Sequence, residues 1–475
     1  MRALGFPVVS LGCACVVVAA SCGQGPQPES TFVPDAATPG VDAGPESGNL
    51  VGDAHGPCVK LQCQQVDCAS QNLPDTTVTG KVFDPAGVNP LYDVIVYVPN
   101  DDVKPLTPGV VCDQCGVLAS GSPVVTALTG PDGRFVLHGV PAGDSIPLVI
   151  QLGKWRKQLV IPHVAACQDT PMSDPSKMRM PARQSEGDMP QIAVATGGCD
   201  PFECLLRKIG IDASEFTTET GGGRVHLYQG VGGSGLPQPT STAATLWASP
   251  SLPRYDMIVN ACECHEEAEE KPQSSIDNLV AYANAGGRLF NTHYQYYWID
   301  PTKITVSPAV STNPAWQSTA LFVPEQSGTS SIQGFVDTTF PKGDAFAHWL
   351  QNVGASISLD RFPIDQARYN AQAANPPSTR WVSNPNTGDT QTTGPALLHY
   401  TFNTPVGVPE PKQCGKVLFS DFHVVSSLTS SPTFPSECDG QPMTPQELAL
   451  EFMLFDLSAC IQEETQPPKP PPPIQ

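Results

Sequence analysis

Cysteine constrains this chain more than any other residue, because it occurs 16 times in a sequence that opens with an export signal. The first 22 residues carry a basic start at Arg2, an apolar run from Leu4 to Ala20, and small residues leading into Ser21-Cys22. Interrupted by Gly5, Pro7 and Gly12, that run is too short for a comfortable membrane span. Thiols of an exported chain meet an oxidising compartment, so most of them are expected in disulfides. Cys13 and Cys15 leave with the signal and Cys22 closes it, which leaves 13 of the 16, an odd number, and therefore at least one thiol unpaired within the chain. Cys112-Asp-Gln-Cys115 has metal-knuckle or redox spacing, but no second pair accompanies it, and a local Cys112–Cys115 disulfide is the expectation. Cys438 and Cys460, flanking one helix, are the expected long pairing; the sequence leaves the remaining connectivity open.

The stretch Val18-Ala19-Ala20-Ser21-Cys22 resembles the lipobox of bacterial lipoproteins, with Ala19 where that family carries Leu. The resemblance implies lipidation of Cys22 and anchoring to a bacterial membrane, and Gly23 in place of the inner-membrane retention Asp implies the outer one. With 25 basic against 46 acidic residues the net charge is −21, a surface that repels phosphate backbones and excludes nucleic acid as a partner. The expected partners are the membrane, through the lipid, and an envelope carbohydrate or surface protein. Residues 23–56 are Pro, Gly, Ala, Ser and Asp with few large apolar side chains, a flexible tether. A Cys-containing connector (57–75) follows. Residues 462–475 form a Pro-rich tail with polyproline II character and an expected unstructured end.

From 76 to 165 the pattern is all-β. Val78-Thr79-Gly80-Lys81-Val82-Phe83 alternates, Val94-Ile95-Val96-Tyr97-Val98 is a buried-strand run, and Pro131-Asp132-Gly133 is a turn feeding Arg134-Phe135-Val136-Leu137. With Asp84-Pro85-Ala86-Gly87, Pro90-Leu91 and Val140-Pro141-Ala142-Gly143, these residues resemble the carboxypeptidase-regulatory-like, transthyretin-like β-sandwich. That resemblance implies a binding or folding accessory and brings no catalytic residues.

After a linker (166–188), residues 189–461 alternate strand and helix, which predicts an α/β, doubly wound parallel sheet of flavodoxin/amidotransferase-like kind, so the chain as a whole is multidomain. Strands are expected at Ile192–Ala195, Arg224–Tyr228, Tyr255–Ala261, Arg288–Thr292 and Lys416–Phe422. Helices are expected from Asp200-Pro201-Phe202-Glu203, with Asp200 as N-cap, at Ser275–Ala285, Asp344–Gln351 and Pro445–Leu457. Residues 301–394 read as a long insertion. Tyr255-Asp256-Met257-Ile258-Val259, the Leu279–Phe290 stretch with Gly286-Gly287-Arg288, and Lys416-Val417-Leu418-Phe419 followed by His423 resemble the class I glutamine-amidotransferase-like superfamily in its trehalose-utilisation-like branch. The family places a glycine-flanked cysteine at its nucleophile elbow; this chain reads Asn291-Thr292-His293-Tyr294-Gln295, so the resemblance does not extend to glutamine hydrolysis.

In such a sheet ligands bind beyond the carboxyl ends of the strands. That rule gathers Thr196–Asp200, Cys262–Glu266, His293–Trp298 and Asp421–His423. The catalytic candidates are His293, His423, Asp421 and Cys262; the metal candidates are His293, His423, Glu263 and His265, though no ligand spacing motif supports them. Tyr294, Tyr296, Tyr297 and Trp298 are an aromatic cluster suited to stacking on a sugar, with core packing accounting for half of the rings. No cofactor is predicted. The favoured function is non-catalytic binding or scaffolding at the cell envelope, with carbohydrate as a candidate ligand; the alternative is a hydrolase or isomerase using His293 and His423, with or without a metal, and clustering of His293, His423 and Cys262 within about 5 Å would favour it.

Overall fold

The computed structural model describes residues 58–117, 119–304, 310, 313–323, 331–385, 395–425, 434–435, 438 and 440–474. The signal, Cys22 and the tether lie outside them. No helix among the described residues is long and apolar enough to cross a membrane.

The first strands are β1 (Thr77–Lys81), β2 (Ile95–Pro99), β3 (Pro123–Leu128), β4 (Arg134–His138), β5 (Gly143–Leu152), β6 (Trp155–Val164) and β7 (Asp169–Met172). They make a three-stranded sheet, β4-β1-β7, and a four-stranded antiparallel sheet, β3-β2-β5-β6. Period-two alternation is plainest in β4, where Phe135 and Leu137 point inward between exposed neighbours. The turn before β4 requires Gly133: its φ is +75°, and a Cβ there would meet Pro90 and the Val82 carbonyl at 2.8 Å. The segment expected as a linker is part of this region, since β7 pairs in parallel with β1 and Cys167 is bonded to Cys68. So short a strand carries no alternation of its own, and its pairing is set at long range.

The next elements are β8 (Ile192–Thr196), α1 (Phe202–Lys208), β9 (Phe216–Thr217), β10 (Val225–Gln229), α2 (Ala243–Trp247), β11 (Met257–Asn260), α3 (Gln273–Asn284), β12 (Arg288–Thr292), α4 (Pro314–Gln317), β13 (Ala320–Phe322), β14 (Ile332–Val336), α5 (Pro341–Asn352), β15 (Arg361–Ile364), β16 (Ala371–Ala374), β17 (Thr379–Asn384), β18 (Ala396–Thr404), β19 (Gly415–Ser420) and α6 (Pro445–Ser458). One sheet runs β15-β14-β17-β18-β19-β12-β11-β8-β10-β9. From β19 to β9 every pairing is parallel, and the 301–394 segment with β18 extends the sheet by antiparallel strands.

Alternate residues of the central strands feed two cores. Ile192, Val194, Met257, Val259, Phe290 and Leu418 join α1, α5 and α6 on one face, in an apolar cluster continuous with the interior of the N-terminal sheets. Ala193, Ala195, Ile258, Leu289, Val417 and Phe419 join α2 and α3 on the other. Residues 55–475 accordingly form one compact unit. α6 begins with a reciprocal capping box between Thr444 and Glu447, and both faces of the helix are buried.

Covalent links cross the same boundary. Cys112 pairs with Cys414 and Cys115 with Cys460, while Cys438 pairs with Cys204. This corrects both expected pairings. Gln114 bridges Ile461 just before the chain turns, and Cys115 N donates to Ile461 O at 3.0 Å, so the two thiols of the Cys-x-x-Cys face different neighbours. The tail also departs from expectation. Thr126 Oγ1 donates to Pro471 O at 2.8 Å and Ile474 N to Pro123 O at 2.7 Å, so extended proline-rich chain covers the outer edge of β3.

At the boundary, Asp84 and Glu451 are both buried, and Asn89 Nδ2 donates to Glu451 Oε2 at 2.7 Å. Burial raises Asp84 to about 6, and burial with the facing Asp84 charge holds Glu451 well above the ordinary carboxylate range. The pair therefore shares a proton. Raised folded-state values mean the folded chain binds more protons than the unfolded one, so the stability they contribute is complete below about pH 4 and falls as pH rises through 6 and beyond. Glu451→Gln is expected to flatten that decline and to add about 1–3 kcal/mol at pH 8, read from urea unfolding across pH. An unchanged slope would refute the shared proton.

Candidate functional site

Parallel register lines up the carboxyl ends of β19, β12, β11 and β8, and the loops leaving them converge. β12 ends at Thr292, and His293 turns the chain straight into a 3-10 helix, His293–Trp298, at a φ of +44°. A non-glycine residue at positive φ on a strand-to-helix corner is the backbone of an elbow, here presenting imidazole. Cys262, just past β11, puts its Sγ 3.1 Å from His293 Nδ1. The His423 ring, beyond β19, has its centroid 6.0 Å from that of His293. Cys262, His293 and His423 bring one ligand atom each within 4.8 Å of one another, and all three are buried.

Asp200 fastens this group. The helix after it is capped by the backbone of Pro201 with no side-chain bond, contrary to the expected Asp200 cap. Asp200 Oδ2 instead accepts from Thr292 Oγ1 at 2.6 Å and Oδ1 from Val424 N at 3.1 Å, tying the ends of β12 and β19 to β8. His423 Nδ1 donates to its neighbour Val424 O at 2.9 Å, and Gln446 Nε2 donates to His423 O at 2.6 Å. The Nε2 atoms of His293 and His423 have no hydrogen-bond partner among the described residues. Burial pushes the Cys262 thiol up to about 12, and burial, then His423 and Arg368, hold His293 well below its ordinary range. A neutral thiol thus faces a neutral imidazole.

The other sequence candidates sit apart from this trio. Asp421, raised to about 8 by burial, accepts from Ala371 N at 2.9 Å and so anchors β16. Glu263 is committed to a buried ion pair with Lys271 at 2.6 Å and accepts from Val231 N at 2.9 Å. His265 is exposed, its ring 5.8 Å from that of Tyr294. Cys264 is bonded to Cys199, stapling the loops after β11 and β8 and leaving Cys262 as the free thiol among the described residues. Tyr294, Tyr296, Tyr297 and Trp298 are buried, with Trp298 against Trp247 at 4.8 Å and Tyr296 against Phe322 at 5.6 Å. They are core, not a stacking platform: the segment is a 3-10 helix buried along its whole length, so no alternate face is left to solvent. Asn370 and Arg368, which act on His293, come from the insertion and carried no local signal.

No family model matches the chain, and no curated protein does. Among solved structures it is similar to a ThuA-like protein from Bacteroides uniformis, at 10% identity over 55% of this chain and 88% of that one, with a TM-score of 0.31. It is also similar to a type II cohesin–X-dockerin complex from Acetivibrio cellulolyticus, at 16% identity over 30% of this chain and 75% of that one, with a TM-score of 0.14. Neither likeness is close enough to assign a family.

Proposed function

We propose that this is an extracytoplasmic lipoprotein, held to a bacterial outer membrane by Cys22, whose folded part binds or scaffolds at the cell envelope without turning over a substrate. On this reading the two N-terminal sheets are a transthyretin-like accessory sandwich packed on an amidotransferase-like sheet that has lost its nucleophile. One observation carries it: the elbow after β12 holds the imidazole of His293, and the nearest thiol, Cys262, is buried on the neighbouring strand end. Six disulfides among the described residues support folding in an oxidising compartment. With the aromatic cluster in the core, a surface protein is the partner class better supported than a sugar.

Anchoring is tested by palmitate labelling in a bacterial host: label and membrane retention are expected for the native chain and absent in Cys22→Ser, and equal retention of both would overturn it. Catalytic silence is tested on glutamine, amide, ester and glycoside substrates. The second reading, a hydrolase or isomerase using His293 and His423, is favoured by the 4.8 Å clustering of those residues with Cys262. Turnover abolished by Cys262→Ser or His423→Gln would establish it and end the first.

A further inference from the structure

We infer that Cys262, His293 and His423 form a built, buried site for one divalent transition-metal ion of the zinc type. This goes beyond the envelope role and holds whether or not that role is correct.

The three side chains follow the ends of three adjacent parallel strands, Cys262 just past β11, His293 directly after β12 and His423 in the short segment after β19, so parallel register brings their carriers together. Their ligand atoms lie within 4.8 Å of one another. Around a tetrahedral ion with metal–sulfur and metal–nitrogen bonds of about 2.3 and 2.0–2.1 Å, such atoms stand roughly 3.5 Å apart. Cys262 Sγ and His293 Nδ1, at 3.1 Å, are already near that spacing, so only His423 has to close in. The Nδ1–H of His423 is spent on the Val424 carbonyl, which leaves its Nε2 lone pair free; fixing a ligand tautomer through the other ring nitrogen is how proteins prepare histidine for a metal. That His423 Nε2 is buried and has no hydrogen-bond partner among the described residues.

Donor chemistry selects the ion. One thiolate and two imidazoles favour zinc, cobalt or copper over magnesium or calcium, which take oxygen. Three protein ligands leave a fourth position open. On binding, the Cys262 S–H bond breaks, a sulfur–metal bond forms and the proton goes to solvent; nothing is oxidised. The ion and thiolate together add one positive charge beside Asp200, whose carboxylate receives bonds from Thr292 and Val424 and faces His423. Asp200 is thus a positioning residue for the ligand-bearing ends of β12 and β19. The Cys199–Cys264 bridge removes the adjacent cysteine from competition.

The probe is Co2+ added to the full-length purified chain, disulfides intact and metal stripped by a chelator. One equivalent is expected to give a thiolate-to-cobalt charge-transfer band and tetrahedral visible bands, both displaced by one equivalent of Zn2+. Cys262→Ser should abolish the charge-transfer band. His423→Gln should weaken binding by more than about 10-fold, since even second-shell changes commonly cost 10–100-fold. Circular dichroism checks that each variant folds, and the native spectrum decides the matter if Cys262→Ser does not. Absence of the band from the native chain, its survival in Cys262→Ser, or uptake of copper with no response to Co2+ or Zn2+ would each overturn the assignment.

Discussion

Lys416→Met is expected to cost the folded state about 3–5 kcal/mol, because it strips one cation from a buried charge quartet. Lys342 Nζ lies 2.9 Å from Asp456 Oδ1 and 3.2 Å from Glu464 Oε2, and Lys416 Nζ lies 3.2 Å from Asp456 Oδ2 and pairs with Glu464. All four side chains are at most 4% exposed. The group ties α5, β19 and α6 to the segment that follows α6. Burial alone would raise the Asp456 carboxyl, but Lys342 and Lys416 outweigh it and hold the carboxyl at about 2. That sign makes the contribution of Asp456 complete above about pH 4 and lost as pH falls toward 2. Chemical unfolding at pH 7 measures the loss, and a matched change of all four residues to apolar ones separates two causes. If the damage is uncompensated charge, the quadruple variant is far less harmed than Lys416→Met. If both lose the same amount, the cause is packing and the electrostatic explanation fails.

Removing Cys115–Cys460 by serine substitution is expected to lower stability by about 2–5 kcal/mol under non-reducing conditions. The link joins residues 345 apart, and in the chain-entropy account a 100-residue loop already gives about 4.7 kcal/mol. Cys112–Cys414, spanning 302 residues, closes nearly the same loop. With either link gone the other still closes the long loop, so deleting both should cost more than the sum of the two single deletions. Cys58–Cys63, separated by 5 residues, should matter least, at about 2 kcal/mol or below. Guanidinium unfolding of the three variants orders them, and a local link as costly as the long ones would contradict the loop argument.

Much of the large sheet was legible because its strands are short apolar runs between punctuated helices. The helix expected at Ser275–Ala285 is α3 at Gln273–Asn284, stopped by Gly286 at a φ of +122°, and β12 has the expected bounds. Convergence of the strand ends followed from parallel order alone. What failed was local reading of side chains with long-range partners. Asp200-Pro-Phe-Glu has the composition of a helix start, yet the Asp200 carboxylate serves Thr292 and Val424, 92 and 224 residues away. The cysteine count foretold an unpaired thiol but could not say that it is Cys262, nor that Cys112 and Cys115 would part company. The aromatic cluster misled because strand-like alternation does not hold in a segment that is a buried 3-10 helix. The metal candidates drew Glu263 and His265 from the right loop but passed over Cys262, which only the distance to His293 brings into the set.

The most direct test is alkylation of Cys262 in the folded, metal-stripped chain at pH 7, followed by peptide mass spectrometry. A pocket that holds without cutting keeps its thiol closed: the native chain should stay unlabelled at Cys262 over the time in which the unfolded, unreduced chain is labelled there in full. Rapid stoichiometric labelling of Cys262 in the native chain would mean an open, nucleophilic sulfur, and would contradict the account.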